Sequence, residues 1–149
     1  FMNLKESLLS DMKGALKAGD SLKLITIRGL ISEIKNLEID VGRNLVEDEI
    51  ISIILTQVKK RKEAAIFFDK GGREDLLEKE NQEKKILQEY LPEQVSVNDL
   101  KQRIQEVILE LEIIDIKDLG KIMKTIIPEF KGRADNEQIK NLVTECLNR

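Results

Sequence analysis

The sequence predicts an all-α fold: an N-terminal hairpin or bundle of about four helices over residues 1–91, followed by a small three-helix domain over residues 92–149. Three observations carry this reading. Apolar residues recur at three- and four-residue spacing through nearly every segment. Side chains that cap helix starts stand before those segments, and glycines stand after several of them. The one strand-like run, Ile50-Ile51-Ser52-Ile53-Ile54-Leu55, sits inside a segment too long for a strand, so length arbitrates for helix.

Taken in order, Asn3 with Glu6 makes a capping pair, and Leu4, Leu8, Met12, Ala15 and Leu16 repeat at helical spacing until Gly19. Asp20 caps a second helix, whose apolar face is Leu24, Ile27, Leu30, Ile31 and Ile34 and which ends before Gly42. Gly29 in its interior costs about 1 kcal/mol relative to Ala, which predicts a close crossing by another helix. The third helix runs from Glu47 to about Lys70, with acidic residues at its start, the run Lys59-Lys60-Arg61-Lys62, and Ile66 and Phe67 continuing the apolar side. Gly71-Gly72 ends it as a hairpin turn. A fourth helix, Arg73 to Tyr90, has a narrower apolar face and dense charge, which places it on the surface.

Leu91-Pro92-Glu93-Gln94 breaks the pattern, because proline disfavours helical geometry at the residue before it, and marks a stiff domain boundary. Ser96 with Asp99 then caps a helix through about Leu111, Asp115 and Asp118 open a short helix to Ile127, and Asp135 opens the last. The core of these three helices is read as Leu100, Ile104, Val107, Ile108, Ile122, Ile126, Ile139, Leu142 and Val143.

Composition narrows the chemistry. With 41% hydrophobic residues in 149, a genuine core is affordable. The absence of His removes triads and His-based metal sites, and no cofactor or metal is expected. Four Phe, one Tyr and no Trp leave few platforms on which single-stranded bases stack. Cys146, the single cysteine, lies at an apolar-periodic position and reads as a small core hydrophobe. No secretory signal or long apolar span is visible, so a cytosolic protein with no membrane role is expected, and Phe1 is read as standing before the natural start, Met2.

A net charge of −3 gives no global attraction to nucleic acid, so any such binding must be local. The local candidate lies near the C-terminus. Lys131-Gly132-Arg133 is a glycine-punctuated basic turn: the glycine permits positive φ, so that both cations project from an exposed corner, and Asp135 with Gln138 starts a helix behind it. From Leu119 to Asn141, Lys121, Lys124, Lys131, Arg133 and Lys140 stand against Glu129, Asp135 and Glu137, a weak positive field. The bland alternative is a structural glycine with solvated cations. Lys59 to Lys62 reads as a solvated run facing all round its helix. No general acid, base or nucleophile is assigned.

The blocks Ile27-Arg28, Lys35-Asn36, Gly72-Arg73, Tyr90-Leu91-Pro92-Glu93-Gln94, Gly120-Lys121-Ile122-Met123 and Lys131-Gly132-Arg133-Ala134-Asp135, together with Lys59 to Lys62, resemble the YqeY family, which is similar to the C-terminal tail of the B subunit of glutamine-dependent aspartyl/glutamyl-tRNA amidotransferase. Asn136 and Lys124 depart from the pattern. The resemblance implies an all-α architecture, and together with the local positive field it leads to the expectation of a non-catalytic module that binds tRNA or another structured RNA through Lys121, Lys124, Lys131, Gly132, Arg133 and Lys140. Two alternatives stay open: an accessory subunit of a carbon–nitrogen ligase with glutamine as amide donor, and an adaptor that holds a protein partner in an apolar groove between the two domains.

Overall fold

The computed structural model describes residues 2–148, so Phe1 lies outside the described residues. Seven α-helices and one short 3-10 helix are present, with no strand among the described residues. The chain divides into two compact units, Phe1–Leu91 and Pro92–Arg149.

The first unit holds α1 (Leu4–Ala18), α2 (Ser21–Val41), α3 (Glu47–Lys70) and α4 (Glu74–Gln88). Local chemistry sets their ends. The Asn3 side chain accepts from the Glu6 amide at 2.8 Å, and the Asp20 carboxylate from the Lys23 amide at 3.2 Å, each satisfying a donor the helix leaves unpaired. The start of α3 is half capped: Glu49 accepts from the Val46 amide at 3.0 Å, but the Val46 side chain has no oxygen to return the bond, and the Glu49 amide turns to the Val46 carbonyl at 3.0 Å instead. Leu8 of α1, Ile27, Leu30 and Ile34 of α2, Ile54 of α3 and Leu87 of α4 are fully buried together. Each such side chain contributes about 1.5–3 kcal/mol relative to exposure.

Two expectations for this unit are corrected. Gly29 faces open space, with nothing within 4 Å of where a Cβ would stand, so no helix crosses there. Ile66 and Phe67 do not continue the buried side of α3 but lie 58% and 72% exposed, because the inward face of that last stretch is taken by Ala65 and, one turn earlier, Arg61. α4 lies on the surface with most of its charged residues in solvent, as expected, and packs against α3 through Leu87 and the buried Glu83, whose carboxylate meets Arg61 Nε at 2.8 Å. The basic run is thus divided, with Arg61 turned inward and Lys59, Lys60 and Lys62 exposed.

The second unit holds α5 (Val97–Glu110), a 3-10 turn (Ile116–Asp118), α6 (Leu119–Glu129) and α7 (Asn136–Leu147). Ser96 Oγ accepts from the Asp99 amide at 3.1 Å, and the Asp135 carboxylate accepts from the Glu137 amide at 3.0 Å. Asp115 caps the 3-10 turn, and α6 begins only at Leu119, because the chain tightens over Ile116–Asp118 before widening. The expected core is buried except Ile108, which is partly buried, and it also takes in Ile113, Phe130 and Ala134. α5 ends in a reversal with Glu112 in the left-handed region at φ 54°: the Glu112 amide donates to Leu109 O at 3.2 Å and the Ile113 amide to Ile108 O at 3.0 Å. Cys146 is free and half-buried against this core.

Candidate nucleic-acid interface

The lysines singled out in the sequence sit on three consecutive pieces of the second unit. Lys121 and Lys124, one turn apart on α6, are exposed; Lys131 is exposed in the α6–α7 turn; Lys140 is exposed on α7. They are outward because Ile122 and Ile126 of α6 and Ile139 and Val143 of α7 are fully buried, which fixes the rotation of each helix about its axis. Lys121 reaches Asp118 at 3.5 Å, an exposed ion pair of small energetic weight.

Gly132 and Arg133 behave otherwise than the sequence suggests. Gly132 is in the left-handed region at φ 76°, as a residue without Cβ allows, but it is buried rather than at an exposed corner. Its carbonyl accepts from Gln94 Nε2 at 2.7 Å. Arg133 is half-buried and turned back on the chain: Nε donates to Glu93 O at 3.0 Å, Cζ lies 5.7 Å from the centre of the Phe130 ring, and its carbonyl accepts from the Val95 amide at 3.0 Å. The turn therefore clamps the 93–95 segment. Of the two cations expected to project, Lys131 does, while Arg133 is committed to holding the turn's shape.

Sequence reasoning singled out both 90–94 and 131–135 but read the first only as a hinge, and missed that Glu93, Gln94 and Phe130 are the partners of the basic turn. The signal lay in Gln94, a side chain with two amide donors placed two residues after Pro92, which has no backbone donor. A second cation, Arg103 of α5, is also internal. It meets Glu129 at 2.7 Å, Glu106 at 3.2 Å and Glu110 at 3.3 Å, which holds the Glu129 carboxyl below the usual carboxylate range and ties α5 to α6. On that side of the unit three carboxylates gather around one cation, whereas Lys121, Lys124, Lys131 and Lys140 are exposed on α6, the turn and α7.

In the first unit, Tyr90 OH donates to Asp11 at 2.6 Å; burial and the carboxylate raise the phenol above its ordinary value. Among the described residues no group of three or more His, Cys, Asp or Glu side chains is arranged to hold a metal ion, and no helix is long and apolar enough to cross a membrane.

The profile described as Yqey-like protein matches residues 5–147. The chain is 37% identical over 136 residues to a Kluyveromyces lactis protein, covering 85% of this chain and 73% of that one. It is 32% identical over 126 residues to one from Clavispora lusitaniae, covering 83% and 74%, and 38% identical over 92 residues to one from Lachancea thermotolerans, covering 61% and 49%. Each is named altered inheritance of mitochondria protein 41, mitochondrial. The chain thus spans about half to three quarters of the length of these relatives. Their names overturn the expectation of a cytosolic location, which rested on seeing no signal in the sequence, a criterion blind to addresses carried elsewhere in a longer protein. With a family match that runs through both units and 37% identity to a named relative across 85% of this chain, the chain belongs to the Yqey-like protein family.

Proposed function

We propose that this chain is a non-catalytic helical module that binds tRNA or another structured RNA through its three-helix second unit, α1–α4 forming a separate bundle. The observation that supports this reading is the division of labour in the α6–α7 region: Arg133 is used internally to fix the turn, while Lys121, Lys124, Lys131 and Lys140 remain on the outside. Flexible lysines on a preorganised base contact phosphates as point charges and read backbone geometry rather than sequence, which suits a folded RNA recognised by shape. The scarcity of aromatic side chains fits the same reading, since single-strand stacking is not required.

The test is a salt titration of tRNA affinity. Replacing Lys131 and Lys140 together by Ala lowers the dependence of log affinity on log salt by about two units, one per phosphate contact. Binding of the double variant with the parent's affinity and slope refutes the reading, as does a parent that prefers heparin to tRNA.

A further inference from the structure

Two exposed apolar surfaces include none of the four lysines proposed to bind RNA. The first is on α3, where Ile66 and Phe67 are 58% and 72% exposed. At about 100° per residue they share one arc with Lys59, Lys60, Glu63 and Lys70, opposite the inward Arg61 and Ala65. The second spans 109–116 in the other unit: Leu109 is 77%, Ile114 93% and Ile116 44% exposed, interleaved with Glu110, Glu112 and Asp115. Its exposure follows from the backbone. The reversal at Glu112 places Ile113 in the core, and Ile114 is thrown outward by the alternation that follows.

Each surface has an apolar centre, and their borders carry opposite charge: three lysines against one glutamate on α3, and at the turn Glu112, Asp115 and Glu110, the last paired with Arg103, against Lys117. We propose that copies of this chain associate through these two surfaces, the Ile66–Phe67 face of α3 in one copy seated on the 109–116 turn of another. Like borders repel, so the contact is heterologous, α3 to turn rather than α3 to α3. An RNA or an anionic bilayer suits the first surface but is repelled by the second, whereas a second copy supplies what both lack. None of Lys121, Lys124, Lys131 and Lys140 lies on either surface, so this contact stands or falls separately from RNA binding.

The test is sedimentation velocity on the full chain across a range of concentration and salt. The expected result is reversible association that weakens with salt and falls about tenfold in Ile114→Ser or Phe67→Ser, whose exposed side chains leave folding intact. A Lys59→Glu/Lys60→Glu variant and a Glu110→Lys/Glu112→Lys variant each fail to self-associate, yet associate when mixed, because between unlike copies both contacts are again complementary. Single copies under every condition overturn the proposal. So does association untouched by the two Ser variants, or a mixture of charge variants, folded by circular dichroism, that stays apart. Binding of a monomeric chain to phosphatidylserine vesicles, abolished by Phe67→Ser, gives the α3 face to a membrane and also overturns it.

Discussion

Replacing Arg133 by Ala separates a structural cation from a ligand-facing one. The side chain donates one charge-assisted hydrogen bond, Nε to Glu93 O at 3.0 Å, and covers the Phe130 ring at 5.7 Å. Both lie at a half-exposed site, so the bond contributes about 1 kcal/mol and the ring contact about 0.5 kcal/mol. For a unit of this size a loss of about 1.5 kcal/mol lowers Tm by roughly 6–12 °C, read by circular dichroism as the melting of the second unit. Arg133→Lys keeps the charge but cannot reproduce the planar donor or the stacking, so it recovers little of this stability. Lys131→Ala, two residues away and exposed, leaves Tm unchanged and acts only on the salt slope of RNA binding. If Arg133→Ala melts with the parent while Lys131→Ala and Arg133→Ala weaken RNA binding equally, the clamp carries no weight and the turn presents two equivalent cations after all.

Further outcomes follow from single features. Val46→Ser supplies the missing half of the α3 cap opposite Glu49 and raises stability by about 0.5–1 kcal/mol in urea unfolding; an unchanged midpoint disproves the half-capped assignment. Glu112→Gly relieves a left-handed residue at φ 54° and stabilises by about 0.5–1 kcal/mol, whereas Glu112→Val destabilises. Leu87→Ala opens a cavity at a fully buried position of α4 and costs about 2–5 kcal/mol, while truncating the exposed Phe67 leaves the melting temperature of the first unit as it was. Glu38 is held below the usual carboxylate range first by the Lys5 ammonium at 2.7 Å and then by the Leu45 amide at 2.9 Å. A depressed folded value means that the stabilisation is present above the ordinary value of 4.5 and is lost as pH falls through the folded value, so Glu38→Gln flattens the loss of stability on acidification in that window. A variant that tracks the parent across that pH range removes the carboxylate from this account.

Helix identity, the capping residues at Asn3, Asp20, Ser96 and Asp135, and most of the core of the second unit were legible in the sequence, because caps and 3.6-residue periodicity are local properties of the chain. So was the family, carried by short blocks whose residue types suffice to identify it. Local pattern does not say what stands opposite a side chain, and each revision turns on that. Gly29 is a glycine with no helix across from it, Arg61 leaves a run of exposed lysines because Glu83 of α4 waits inside, and Ile66 and Phe67 keep the right spacing for a core that has ended. The basic turn is the sharpest instance. Composition placed two cations around a glycine; only the tertiary structure, by bringing Glu93 and Gln94 against the 130–133 backbone, made one of them a structural anchor and left the other to solvent. Cationic side chains are long and find their partners through space, so their destination is settled by packing rather than by sequence spacing.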